Sequence, residues 1–506
     1  MSARPLAFVA ALAAVLGCGD DIPDVGADTS TGLPDGTSST ASGGGPSSAV
    51  GTDEGPSADN GPDDGPDSGD TGFEPPEVVC GNGFIERGEQ CDDGNRDDGD
   101  ACNNACQVPC GLEISTITLP PTDDSVISAD FVAASPDGGT VVAGLLRVIT
   151  TDQRGNQDIE PDVAQVMHFD AAGRQSWTVT VDNPEGDLNA NGVVVDTAGD
   201  VFVAATGDDP DGADGIVVVK LAGDTGEEVW RHTYAGEVVG ADDLATGIAL
   251  TAEGDVVVAG QVRVGEGDDD IWVRRLAAGD GTEQWTASYS GTGTAMFSTD
   301  DGGPVAVDTD GRVWVFGIEY VDFETQAPVV LRIAADGSEV EVMARPALSG
   351  SQQAYFIVDL ATGDDNAVYA VYGRNLITVS EFRITRYDGG GTEIWTLTDE
   401  AFEVGIGSNW QPVGIAPQGE KLVVAGQLSN DVTIDDASWS EVWVARLLAD
   451  GVTRCQAQYR GQAPGLLPPS IFAADVAVNA DAEGLVSGVQ SIEGDFSLWL
   501  GRFRSE

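Results

Sequence analysis

The chain has 506 residues, with 85 Asp or Glu against 23 Lys or Arg and a formal charge of −62. That balance excludes nucleic acid as a ligand, because phosphate contacts need clustered cations, and permits divalent cations or basic proteins. At this length the folded part must be several domains or one repeat architecture, since a single core stops growing well before it.

The first element is an export signal: MSARPLAFVAALAAVLGCGDD carries one cation at Arg4, then an apolar run from Leu6 to Leu16 that is too short to span a bilayer. Val15, Leu16, Gly17 and Cys18 resemble the lipobox of bacterial lipoproteins, with Val15 where Leu is usual. The resemblance implies a signal peptide over 1–17 and acylation of Cys18. The mature protein would then be held by lipid to the cell envelope, at the outer membrane or the cell surface. Residues 19–79 hold 14 acidic residues, no basic ones and Phe73 as the sole aromatic. Such a composition cannot offset its ordering entropy, so 18–79 reads as the lipidated cysteine followed by a disordered, self-repelling spacer.

Residues 80–110, CGNGFIERGEQCDDGNRDDGDACNNACQVPC, place five cysteines in 31 residues. In an oxidising compartment this reads as a disulfide framework, and the stretch has neither His nor the paired CxxC units of a zinc or iron–sulfur site. CDDGNRDDGD sets Gly99 one position late for an EF-hand and lacks its closing Glu. Cys80-Gly81-Asn82-Gly83, Gly88-Glu89, Cys91-Asp92-Asp93-Gly94-Asn95, Gly99-Asp100, Cys102 and Cys106 resemble the myxobacterial cysteine-rich repeat. The resemblance implies a small module stapled by disulfides among Cys80, Cys91, Cys102 and Cys106. Catalysis is not a property that it carries.

From residue 127 onward the chain repeats. A Gly- or Ala-ended apolar strand recurs as VVAG at 141–144, FVAA at 202–205, VVAG at 257–260, WVFG at 314–317, AVYG at 370–373, VVAG at 423–426 and LVSG at 485–488, spaced by 53 to 62 residues. Alternating Val and Ile bounded by Gly and Asp turns predicts short antiparallel strands, four to a unit. Seven such units predict an all-β, seven-bladed β-propeller over 111–506. The last unit supplies three strands, so GLEISTITLP at 111–120 is expected to close it. A basic residue marks the third strand of every unit: His168, Lys220, Arg275, Arg332, Arg386, Arg446 and Arg502. These are expected to pair with turn carboxylates. Trp177, Trp230, Trp285 and Trp395 begin fourth strands, where an indole can wedge between blades. The Trp pattern resembles generic bacterial propeller repeats and the docking motifs of quinoprotein propellers, without an evident cofactor constellation. Cys110 and Cys455 remain once the module is assigned, at the starts of strands in neighbouring blades, and are expected to bridge.

No HExxH, GxSxG or phosphate-cradling loop occurs, and no catalytic residue or firm cofactor is assigned. Carboxylate-based glycoside chemistry leaves no linear signature among so many acids. Three readings follow: a surface binding or adhesion scaffold, a carbohydrate-active exported enzyme, and a passive surface lipoprotein. Partners for the first would be an extracellular protein, a polysaccharide or a cation. The second-to-third connections are long and acidic, so they are either a solvated face or a Ca²⁺ site built from Asp208, Asp209, Asp211, Asp268, Asp269, Asp270, Asp435 or Asp436.

Overall fold

The computed structural model describes Gly81, 113–120, 125–151 and 157–504, apart from 292–297, 323–324, 347–353, 376–379, 399–401, 403–407, 435–436, 452, 460–469 and 493–494. Cys18, the spacer, the five module cysteines, Asp435 and Asp436 lie outside the described residues, and so does the side chain of Cys455.

Among the described residues the chain forms seven sheets, antiparallel but for a short parallel pairing of Ser298–Thr299 with Asp268–Leu276, and no helix. Blade two shows the plan: Leu188–Val195, Val201–Asp208, Asp214–Leu221 and Glu228–Tyr234, each paired with the next. Its second and third strands read VFVAATGD and DGIVVVKL, near-continuous apolar runs rather than an alternation. A strand reads that way when both its faces are buried.

The packing explains the pattern. Val256 and Val258 of blade three pack against Phe202 and Val218 of blade two, while Val257 and Ala259 pack against Val315 and Leu331 of blade four. Successive side chains of one strand point to opposite faces, so each of these inner strands serves two interfaces. Each of the seven junctions, including that between blades seven and one, has its own buried cluster. The core is thus a circle of seams between sheets.

The innermost strands touch in sequence around the ring, and the last, Ser470–Val478, touches the first, Phe131–Ala134. The outermost strand of blade seven comes from the other end of the chain: Glu113–Leu119 pairs antiparallel with Asp495–Phe503, with Ile117 opposite Leu500. Pairing of this kind covers an edge that would otherwise present free N–H and C=O groups.

Candidate functional site

The ring has two ends. At one, the first-to-second and third-to-fourth turns meet (the turn face). At the other, the second-to-third loops meet the links between blades (the loop face).

On the turn face the two recurring sequence positions are cross-strand neighbours: Lys220 lies opposite Trp230, Arg275 opposite Trp285, Arg386 opposite Trp395, and His168 opposite Trp177. Six of the seven basic residues meet a carboxylate of their own blade. Lys220 pairs with Asp200 at 2.8 Å, Arg275 with Asp255 at 2.8 Å, Arg386 with Asp365 at 2.5 Å and His168 with Asp137 at 3.5 Å, while Arg502 pairs with Glu483 and Arg332 with Glu341. Arg446, opposite Cys455, is buried at the same position. Four cations also reach the next blade, donating to the carbonyls of Ala278, Ala335, Gly389 and Ala171.

The indoles make the same crossing. Trp177, Trp230, Trp285 and Trp395 donate Nε1–H to Gly223, Ala278, Ala335 and Ala449 of the following blade at 2.8–3.1 Å. Ala278 O thus accepts from both Trp230 and Lys220, and Ala335 O from both Trp285 and Arg275. The ring lies flat on a turn glycine. At Gly281, with φ +70°, a Cβ would stand 2.7 Å from Trp230 Cε3, and an L side chain is disfavoured there in any case. Burial alone would raise the carboxyls of Asp200 and Asp255, but the cation in front and turn amides behind hold both below the usual carboxylate range. The turn face spends these charges on blade-to-blade latches.

The loop face is arranged differently. Between blades one and two, Arg147 grips Asp162 with two bonds of 2.7 and 2.5 Å, and Asp162 N donates to Asp187. Between blades two and three, Asp243 accepts from Gly236 N and from Arg263 N at 2.9 Å, while Arg263 pairs with buried Asp269. Between blades three and four, Arg345 pairs with Glu319 and donates to Tyr289 OH at 3.0 Å. Asp300, fully buried beside them, accepts from Gly291 N and from Tyr320 N at 3.3 Å. Burial, reinforced by the charges of Glu319 and Asp270, pushes the Asp300 carboxyl up to about 7. Burial likewise takes Asp301, which accepts from Tyr320 OH at 3.1 Å, up to about 6.

Above this inner layer lies a second one. Asp182, Glu185, Asp211, Glu237, Asp242 and Glu266 are exposed, and no ion pair among the described residues engages them. Two large apolar side chains stand among them, Val239 at 81% and Val264 at 47% exposure. The loops touch one another, since Asp187 N donates to Asp208 and Asp214 N to Asp242. The surface over blades one to three is therefore continuous.

Of the described acids proposed for Ca²⁺, three are engaged within the protein. Asp208 accepts from Asp187 N, Asp209 from Asp211 N and Ala213 N, and Asp269 is taken by Arg263 and Gln261. Among the described residues no group of three or more His, Cys, Asp or Glu is placed to hold a metal ion. Asp268 and Asp270 each keep one buried carboxylate oxygen without a hydrogen-bond partner. Sequence reasoning passed over Asp300, Glu319 and Arg345, which are brought together only by folding.

No curated protein sequence matches the chain. Among solved structures, a protein of unknown function from Dyadobacter fermentans is similar at 12% identity, over 79% of this chain and 100% of its own, with a TM-score of 0.45. An ulvan lyase of polysaccharide lyase family PL25 is similar at 9% identity over 76% and 95%, with a TM-score of 0.44. The quinohemoprotein alcohol dehydrogenase of Comamonas testosteroni is similar at 11% identity over 76% of each chain, with a TM-score of 0.36. Residues 161–370, from the third strand of blade one to the second of blade five, match the PQQ_2 family, described as outer membrane protein assembly factor BamB.

Proposed function

We propose that the chain is an exported, envelope-anchored binding scaffold that takes a basic protein or peptide on the loop face over blades one to three. The observation that supports this is the contrast between the two ends of the ring. Charged columns on the turn face are paired within the molecule, whereas the loop face leaves six carboxylates exposed around Val239 and Val264. Loops on a rigid scaffold are where recognition usually resides, and a field of one sign steers and retains a ligand of the other. The export signal, the lipobox-like VLGC and the likeness of 161–370 to an outer-membrane assembly factor support an envelope location. Cys18 would be the anchor, and the acidic spacer would hold the ring off the membrane. Biolayer interferometry of the mature chain against an octalysine peptide and a neutral polysaccharide tests the reading. Salt-sensitive binding to the peptide is the expected result. Binding to the polysaccharide alone, or to neither, would reject it.

A second reading rests on the unpartnered oxygens of Asp268 and Asp270: a Ca²⁺ ion held by these two carboxylates, with water completing its shell. Calcium titration by calorimetry should then give heat that Asp268→Asn abolishes. Absence of heat in the wild type would rule it out.

A further inference from the structure

At one repeat position the innermost strands bulge. Register shifts there in blades two, three, five, six and seven, and the residue is Gly192, Gly247, Asp359, Gly414 and Asp475 in turn. Asp359 and Asp475 do what glycine cannot. Asp359 accepts from its own strand at Leu360 N, 2.7 Å, and from blade six at Ile415 N, 2.8 Å. Asp475 accepts from Val476 N at 2.7 Å and from blade one at Val132 N, 2.9 Å, across the junction where the ring closes. Both carboxylates lean toward the bulge of blade six between them. A Cβ at Gly414 would stand 3.2 Å from Asp359 Oδ2 and 3.4 Å from Asp475 Oδ1, so their oxygens lie within about 7 Å of each other, inside the range at which like charges disfavour joint ionisation.

The two strands that carry the pair offer no cation to offset two charges. The innermost strands of blades five, six, seven and one carry no Lys, Arg or His. Their other titratable residue is Tyr355, and Asp130, just ahead of blade one's strand, is itself an acid and is bonded by Ser128 Oγ at 2.6 Å. Of the other strands packed on the two that carry the pair, the second of blade five carries Tyr369, Tyr372 and Arg374, the second and third of blade four Glu319, Tyr320, Asp322 and Arg332, the second and third of blade six Lys421, Asp431, Glu441 and Arg446, and the second of blade seven no titratable residue.

We propose that Asp359 and Asp475 form a proton-holding pair at the axis of the propeller, so that the ring is tightest in mild acid and loosens as the pair loses its last proton. This goes beyond the binding reading and does not depend on it. Each residue keeps some accessible surface, yet the packed strands desolvate its carboxyl group. Burial takes Asp359 up to about 6, and burial together with the Asp359 charge takes Asp475 up to about 8. The sign follows from proton binding. A carboxyl whose folded value lies above its unfolded value of about 4 holds a proton that the unfolded chain has released, so stability falls as pH rises through that window.

Urea unfolding from pH 5 to pH 9 of the full chain, Asp475→Asn and Asp359→Asn tests the pair, because the ratio of unfolding constants cancels the titrations that the variants share. The wild-type constant should rise relative to that of Asp475→Asn by at least about tenfold between pH 5 and pH 8, as one retained proton requires. Should the variants fail to fold, hydrogen exchange in the wild type serves instead. The peptide holding Val132, corrected for intrinsic pH dependence, should lose protection between pH 6 and pH 8 ahead of the peptide holding Val193. Parallel pH profiles for wild type and Asp475→Asn, or equal loss of protection in the two peptides, would overturn the proposal.

Discussion

The contact between Trp230 and Gly281 can be broken from either side. Trp230→Ala removes a half-buried indole and its 3.0 Å bond to Ala278 O. Full burial of a Trp lost to Ala costs about 3–5 kcal/mol, so half of that plus about 1 kcal/mol for the hydrogen bond gives about 3 kcal/mol. Gly281→Ala places a Cβ 2.7 Å from Trp230 Cε3 at φ +70°. The backbone conformation costs about 1–2 kcal/mol and displacement of the ring about 1–3 kcal/mol. In the double variant the new methyl enters the space that the indole left, so only the backbone cost remains. Urea unfolding of all four proteins should therefore give a coupling equal to the displacement cost, about 1–3 kcal/mol. Coupling below about 0.5 kcal/mol would mean that the indole does not lie on the glycine, and the latch account of the turn face would fail.

Three further outcomes are expected. Arg275→Ala should destabilise the ring by about 2 kcal/mol in thermal melts, because it removes the cation from the partly buried Asp255 carboxylate and one of the two donors to Ala335 O. Asp137, Asp200 and Asp255 are held below the usual carboxylate range against the opposing effect of burial. Their contribution is present above about pH 4 and is lost as pH falls further, so the melting temperature should drop in that lower window, opposite in sign to the axial pair. Ile117 packs into the cluster between blades seven and one, and Ile117→Asp should lower stability by about 2–4 kcal/mol and promote self-association as the edge of blade seven opens, measured by melting and light scattering.

Seven blades were legible because both faces of the second and third strands are buried, which writes runs such as VVVAG and IVVVK between Gly and Asp turns. The cation and Trp columns were legible as columns, but not their shared carbonyl acceptors, which belong to the next blade and lie 48 to 60 residues away. The bulge position was hidden for another reason. Asp359 and Asp475 replace a glycine in a chain already crowded with aspartate, and only the fold reveals that this Asp accepts from a neighbouring strand. On the loop face the sequence marked Asp208, Asp209, Asp211 and Asp268–Asp270 as acidic. It did not show that Arg263 and local amides already occupy several of them, leaving Asp211, Asp242 and Glu266 as exposed carboxylates.

Equal amounts of charge removed from the two ends of the ring test the division between a latching face and a binding face most directly. Octalysine affinity would be measured by biolayer interferometry for the wild type, for Asp211→Asn/Asp242→Asn/Glu266→Gln on the loop face, and for Asp224→Asn/Glu227→Gln/Glu339→Gln on the turn face. Three exposed ion pairs at about 0.5–1 kcal/mol each predict a loss of about tenfold or more for the loop-face variant and less than about twofold for the other. Equal losses would show that the peptide responds only to the overall −62 charge, and would contradict the assignment of binding to the loop face.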